Sequence, residues 1–255
     1  MASRFSRKLL GVASATFLLL AGCAGNPPGG NTAQPSADDP WEPLNRDIYQ
    51  GNRRLDRYTL KPLARGYQQL LPGAIRTGID NFFVNLRSPW HIINNLLQGD
   101  GIEGLHEAGR FLANSTFGIG GLVDVATQMG LEKHTEDFGQ TLAVWGVPKG
   151  PYVVIPFFGP STLRDGLALP LDLLADPLYF YENSSVRTKL YIVRVINLRE
   201  RYLDAEELLD DSFDPYIRLR EAYLQNRRYQ VYDGNPPTED DFYEEFEEDF
   251  EDDAQ

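Results

Sequence analysis

The chain has 255 residues, 42% of them apolar and 24% charged, with a formal net charge of −13 at pH 7 and one cysteine. A balance this acidic opposes contact with nucleic acid or an anionic leaflet, and a lone cysteine cannot build a disulfide framework. The length suffices for one domain with a sizeable core.

The chain opens on Arg4, Arg7 and Lys8, followed by an apolar run over 9–20, shorter than the roughly 20 residues a spanning helix needs. Ala21-Gly22-Cys23 closes that run, and the three regions in this order read as a signal peptide over 1–22. Small residues directly before Cys23 resemble the bacterial lipobox, in which the thiol receives a diacylglycerol before the preceding bond is cut. An ordinary secreted protein with a stray cysteine, or an uncleaved anchor, are the rival readings. Each buried acyl CH₂ contributes about 0.8 kcal/mol, so two or three chains on Cys23 moor a protein stably. Ala24 stands where an aspartate retains lipoproteins at the inner membrane of enteric-type bacteria, which predicts a lipid-anchored protein on the periplasmic side of the outer membrane. Loss of 1–22 leaves a net charge of about −16.

Residues 23–40 are rich in Gly, Pro, Asn, Ser and Ala and read as a tether. The body, 41–232, shows a helical period. A helix is expected over 47–58 with a basic face of Arg46, Arg53, Arg54 and Arg57. Another starts at Pro72 and carries an apolar stripe through Phe82 and Phe83 until Pro89 interrupts it; a separate helix then runs through Trp90, Ile93, Asn94 and Leu97. Gly99-Asp100-Gly101 turns the chain into a helix through Ile102, Leu105, Leu112 and Phe117. Gly118-Ile119-Gly120-Gly121 reads as a closely packed turn, and Asp137 as the cap of a short helix ending at Val144. Only 152–158 reads as extended. The stretch 167–181 fails as a membrane span because Asp172, Asp176, Pro170 and Pro177 lie inside it. One long amphipathic helix is expected over 186–209 and an Arg-rich one over 216–229. The end, 233–255, holds eleven acidic residues between 239 and 253, interrupted by Phe242, Tyr243, Phe246 and Phe250. It reads as a solvated disordered tail, with a docking peptide as the alternative.

Catalytic patterns are weak. His91, His106 and His134 are scattered, so no metal or other cofactor is expected. Ser161 lacks a nucleophile elbow and is placed as the cap of a helix entering at Thr162. A phospholipase-type enzyme would have to use Ser161 with His134, and a lipoprotein that only braces porins is the second rival.

Several motifs then resemble the MlaA family, also called VacJ. They are Asp39-Pro40-Trp41-Glu42-Pro43-Leu44-Asn45-Arg46, Asn81-Phe82, Leu97-Gln98-Gly99-Asp100, the stretch 111–125, and Asp137-Phe138-Gly139-Gln140-Thr141-Leu142. Gly150-Pro151-Tyr152-Val153-Val154-Ile155-Pro156-Phe157, Thr162-Leu163-Arg164-Asp165, Asp214-Pro215-Tyr216 and Arg220-Glu221-Ala222-Tyr223 complete the set. The resemblance implies a non-enzymatic outer-membrane lipoprotein that removes phospholipid misplaced in the outer leaflet through an amphipathic channel. It also implies a trimeric porin and the soluble periplasmic carrier MlaC as partners, and lipid asymmetry as the outcome. The expected fold is all-α: a single ring-like bundle of short, kinked amphipathic helices with one short extended or hairpin segment, shallowly embedded in the membrane. The acidic aromatic tail departs from the family pattern, so no role transfers to it.

A phospholipid head group needs a polar route while its tails stay in apolar surroundings. Asn81, Phe82, Asn94, Asn114, Arg164, Asp165 and Asp172 are the candidate lining, against the alternative of caps, turns and structural hydrogen bonds. Replacing Cys23→Ala is expected to abolish labelling by radioactive palmitate and to leave the precursor uncleaved at residue 22; an unchanged labelled band would refute the lipidation.

Overall fold

The computed structural model describes residues 38–237. The signal peptide, Cys23, nearly all of the tether and the acidic run of the tail lie outside the described residues. Within them the chain forms α1 (Glu42–Tyr58), α2 (Leu60–Leu70), α3 (Gly73–Gln98), α4 (Gly101–Thr116), α5 (Val125–Gln128) and α6 (Phe138–Val144). A hairpin of β1 (Tyr152–Ile155) and β2 (Gly159–Thr162) follows, then α7 (Leu163–Leu174), a 3₁₀ turn (Pro177–Phe180), α8 (Ser184–Arg201), α9 (Leu203–Asp210) and α10 (Pro215–Val231). The fold is all-α with one small antiparallel hairpin.

Local chemistry sets most boundaries. Glu42 and Pro43 open α1, matching the positive end of the helix dipole and the missing proline N–H. Gly99, at φ +95°, closes α3, and the Asp100 N–H reaches the Asn95 carbonyl at 2.9 Å. Asp137 caps α6 by accepting from the Gln140 N–H at 2.9 Å. Gly118 is required because a Cβ there would lie 2.1 Å from the Val123 carbonyl oxygen.

Three expectations are corrected. Pro89 does not end its helix: α3 runs 26 residues straight through it. An interior proline costs about 3 kcal/mol, but the same turn places Ser88 Oγ 2.7 Å from Glu107 Oε1 and His91 Nδ1 2.6 Å from the Glu136 carbonyl. Those buried contacts hold the helix across the gap. The long helix expected over 186–209 breaks at Tyr202, because α9 turns back to bring Glu206 onto Arg199 and, at 2.8 Å, onto Lys61. Over Leu60–Leu70, where the sequence reading placed no element, α2 forms although Pro62 lies in it, since a proline in the first turn removes no helical bond. The cap of α7 is Thr162, not Ser161: its hydroxyl accepts from the Asp165 N–H, while Ser161 Oγ donates to the Thr162 carbonyl. Asp39 is fully buried ahead of α1, and a turn at Asp233 and Gly234 follows α10.

Asp39 pins the start of the body to its end. Asn45 Nδ2 donates to Asp39 Oδ1 at 2.8 Å and to the Tyr152 carbonyl at 3.0 Å, and Asn45 Oδ1 accepts from the Val154 N–H at 2.9 Å. The Tyr216 hydroxyl and Arg220 Nη1 both donate to Asp39 Oδ2. Around them Tyr152, Val154 and Tyr216 form the apolar core, with Tyr49 edge-on to Tyr216 at 5.6 Å. At the hairpin tip Phe157 takes φ +68°, a left-handed conformation held by its N–H on Asn52 Oδ1 at 2.8 Å.

Asp39→Ala leaves the buried Tyr216 hydroxyl without its acceptor and takes one carboxylate from Arg220, which keeps Glu221 at 2.9 Å, and is expected to lower unfolding free energy by about 2 kcal/mol in urea titration. Asp38→Ala breaks only the exposed pair with Lys149 and is expected to cost less than about 0.5 kcal/mol. Equal losses would show that the Asp39 hub holds nothing.

Candidate functional site

The helices turn their polar faces inward. On α3, Asn85, Ser88, His91, Asn94 and Asn95 are buried, while Ile75, Ile93, Leu96 and Leu97 are exposed. On α4, Glu107, Arg110 and Asn114 are buried, but Ile102 and Leu105 are 73% and 72% exposed. Arg164 is buried at the start of α7 and Leu167 is 72% exposed. More polar than apolar side chains are buried among the described residues, the reverse of a water-surrounded globule. No helix among them is long and apolar enough to cross a membrane. Apolar exteriors on helices that do not span suit an interfacial setting.

Two polar clusters organise this interior. In the first, Arg227 of α10 meets Asp137 through Nη1 and Nη2, both at 2.7 Å, and Asp165 through Nε and Nη2, both at 3.0 Å. Gly139 makes the approach possible, since a Cβ there would lie 2.5 Å from Asp165 Oδ1. Burial favours a protonated Asp165, but Arg227 and Arg164 outweigh it and hold its pKa below the usual carboxylate value. Glu136 lies alongside, 4% exposed, and burial pushes its pKa up to about 8 despite Gln98 Nε2 donating at 2.8 Å. In the second cluster, Arg110 Nη2 meets Asp124 at 2.9 Å, and Asn114 donates to Asp124 while its Oδ1 accepts from the Ala126 N–H at 3.0 Å. A polar pocket of about 20 Å³ opens beside it, bordered by Asn81, Asn85, Glu107, Asn114 and Lys133. Glu107 Oε2, 3.7 Å from Arg110 Nε, and Asn85 Oδ1 are buried there without a hydrogen-bond partner among the described residues. That volume and those two acceptors suit one water molecule.

The candidate lining falls into these clusters and the helix that joins them. Arg164 and Asp165 meet at Arg227, their own contact being 3.1 Å. Asn81, bonded to the Leu122 carbonyl at 3.3 Å, and Asn114 border the small pocket. Asn94 is fully buried: it donates to the Trp90 carbonyl at 2.9 Å and accepts from Thr141 Oγ1 at 2.8 Å. Asp172 accepts from Trp90 Nε1 at 2.8 Å and the Phe138 N–H at 3.0 Å, and burial raises its pKa. Phe82 stacks edge-on against Phe83 at 5.3 Å. Ser161 and His134 spend their polar atoms apart, Ser161 on the Thr162 carbonyl and His134 beside Glu103 at 3.2 Å. Sequence reading missed Arg227, Glu136 and Gln140. Tyr216, Arg220 and Arg227 share one helical face at i, i+4 and i+11, a phase that marks the two arginines as inward-facing.

A larger cavity, about 820 Å³, lies between the α6–β1 loop and α10, bordered by Val147, Lys149, Arg164, Leu224, Arg227 and Arg228. It is the size of a small-ligand site.

Comparison with known proteins is extensive. The family profile described as "MlaA lipoprotein" matches residues 37–230. The chain is 37% identical over 215 residues to the "Intermembrane phospholipid transport system lipoprotein MlaA" of Escherichia coli (strain K12), covering 83% of this chain and 84% of that protein. The protein of the same description from Haemophilus influenzae is 33% identical over 223 residues, covering 85% and 88%. A solved structure described as "Structural basis for maintenance of bacterial outer membrane lipid asymmetry" superposes with a TM-score of 0.65 at 36% identity, covering 77% of this chain and 99% of that one.

The raised pKa of Glu136 fixes the sign of a stability change. An unfolded glutamate ionises near 4.5 and the folded one near 8, so the contribution is fully present below pH 4.5 and is lost as pH rises through 8. Glu136→Gln is expected to gain up to about 5 kcal/mol over the natural chain at pH 9, and nothing at pH 4.5, in urea unfolding followed by circular dichroism. Parallel stability curves across that range would refute the assignment.

Proposed function

The chain belongs to the MlaA lipoprotein family, and from that membership we propose that it is an outer-membrane lipoprotein of intermembrane phospholipid transport. In this reading it takes phospholipid misplaced in the outer leaflet, guides it inward through an amphipathic channel in a ring-like body, and gives it up to a soluble periplasmic carrier, MlaC. A trimeric porin holds it in place, and acyl chains on Cys23 tie it to the inner leaflet. The outcome is a lipid bilayer kept asymmetric.

The reversed placement of polar and apolar side chains carries this reading. Exposed Leu105, Leu112 and Leu167, with the Phe157–Phe158 hairpin tip, offer acyl chains a surface, and the exposed residues on α3 and α8 extend it. Buried carboxylates, amides and guanidinia lie behind that surface, as a head-group path requires. Asn81 and Arg164 border open space and are the candidates suited to meet a head group directly. Asn94, Asn114, Asp165 and Asp172, whose polar atoms are engaged, frame the route, and Phe82 supplies an apolar wall. Movement down a lipid gradient needs no nucleotide.

The test is reconstitution with the porin in asymmetric vesicles carrying labelled outer-leaflet phospholipid. Transfer to added carrier is expected, and Leu167→Glu with Leu171→Glu is expected to slow it at least tenfold while circular dichroism stays unchanged. Porin binding without lipid transfer would leave only a bracing role. Release of lysophospholipid would point to hydrolysis instead.

A further inference from the structure

The 820 Å³ cavity beside α10 is amphipathic: buried Arg164 and Arg227 and exposed Lys149 and Arg228 share its lining with Val147 and Leu224. Its carboxylates are already taken. Asp38 holds Lys149 at 2.7 Å, Glu221 holds Arg220 at 2.9 Å, and Asp137 and Asp165 hold Arg227 at 2.7 and 3.0 Å. Arg227 in turn spends all three of its guanidinium nitrogens on those two acids. Arg164 does not. Only 8% exposed, it gives Nε to Asp165 at 3.1 Å and Nη1 to the Val147 carbonyl at 3.5 Å. Its Nη2 makes no hydrogen bond among the described residues and is not sealed from the open space the residue borders. Arg228 has no carboxylate partner among the described residues; its Nη2 donates to the Pro237 carbonyl at 2.6 Å. The Lys149–Asp38 pair is half-exposed, and such pairs yield readily to a competing anion. The cavity therefore offers spare cationic donors and no spare carboxylate.

We propose that this cavity is a head-group site for anionic phospholipid, with Arg164 and Arg228 on the phosphodiester, and that it favours a glycerol head group over an ethanolamine one. Guanidinium N–H groups aimed at a phosphate oxygen form strong charge-assisted bonds, and burial of Arg164 strengthens them. Val147 and Leu224 suit the glycerol carbons and first methylenes that accompany a lipid phosphate. An ethanolamine ammonium needs a carboxylate of its own, and here it would have to displace a protein cation to get one. The chain as a whole is acidic and repels an anionic leaflet, so the preference belongs to this cavity and disappears with its cations. The inference takes its ligand class from the lipid-transport reading and deepens it by naming which lipid is held best.

Hydrogen exchange on the full chain in neutral-detergent micelles tests it, with dilauroyl phosphatidylglycerol, dilauroyl phosphatidylethanolamine, inorganic phosphate or no addition. Phosphatidylglycerol is expected to slow exchange over 143–149 and 224–232 about fivefold, and phosphatidylethanolamine less than about twofold. Arg164→Gln and Arg228→Gln are each expected to remove most of the phosphatidylglycerol effect. Arg218→Gln, an exposed change on α10 that does not border the cavity, is expected to keep it. Exchange in α3 and α4 is the control for folding, and the exposed Arg228 variant carries the test if the buried one fails that control. Equal protection by the two lipids, or protection by neither, would overturn the proposal, and transfer persisting in the vesicle assay would show that the transport reading survives it. Protection by inorganic phosphate at the lipid's own concentration would assign the cavity to free phosphate and also overturn it. Protection by phosphatidylglycerol with no transfer of either lipid would uphold the site and strike the transport reading.

Discussion

A buried polar group without a partner costs about 1–3 kcal/mol, and this body buries polar groups on nearly every helix. That constraint orders the architecture. Each inward amide, carboxylate or guanidinium has to meet one from another helix, so segments far apart in sequence are tied by named pairs. Arg227 joins α6, α7 and α10; Asp39 joins α1, the hairpin and α10; Asp80 of α3 takes Asn197 and Arg201 of α8. Arg199 likewise clamps α8 to Asp56 of α1 at 2.7 Å. With the interior held this way, the apolar faces are free to point outward. A lipid-surrounded protein gains nothing from sequestering leucine from acyl chains, because the two are equally apolar.

Periodicity located most helices, since the apolar and polar stripes recur at 3.6 residues whichever stripe faces inward. It could not say which stripe was inside. Asn94, Asn114, Arg164, Asp165 and Asp172 were legible as polar residues on otherwise apolar segments, but Asn94, Asp165 and Asp172 meet partners on elements dozens of residues away. Arg227 was hidden for another reason: it sits in a helix with many arginines, and Arg218 and Arg228 on the same helix are exposed. Backbone punctuation was read well where its chemistry is local, as at Asp137 and Gly99. It misled where tertiary contacts dominate. Pro89 is tolerated because Ser88 and His91 are anchored from outside the helix, and the break at Tyr202 serves Glu206, a residue no local rule connects to Lys61.

The hairpin shows how a small element can be held at some cost. Phe157 adopts a backbone conformation that costs a non-glycine residue about 1 kcal/mol or more, and it does so while 80% exposed. Asn52 compensates from α1 with two bonds, one to the Phe157 N–H and one to the Ile155 carbonyl at 3.0 Å. The result is a pair of aromatic rings projected from a stiff mount.

The placement of Asp39 also governs how the molecule bears load. A pull on the chain ahead of Asp38 passes through the Asp38 carbonyl into the Tyr152 N–H at 2.7 Å, and through the Asp39 carboxylate into Tyr216 and Arg220. The strain is therefore shared at once between the hairpin and the final helix, in shear across several bonds, instead of unzipping α1 one turn at a time. A body loaded through its N-terminal segment would resist at this seam.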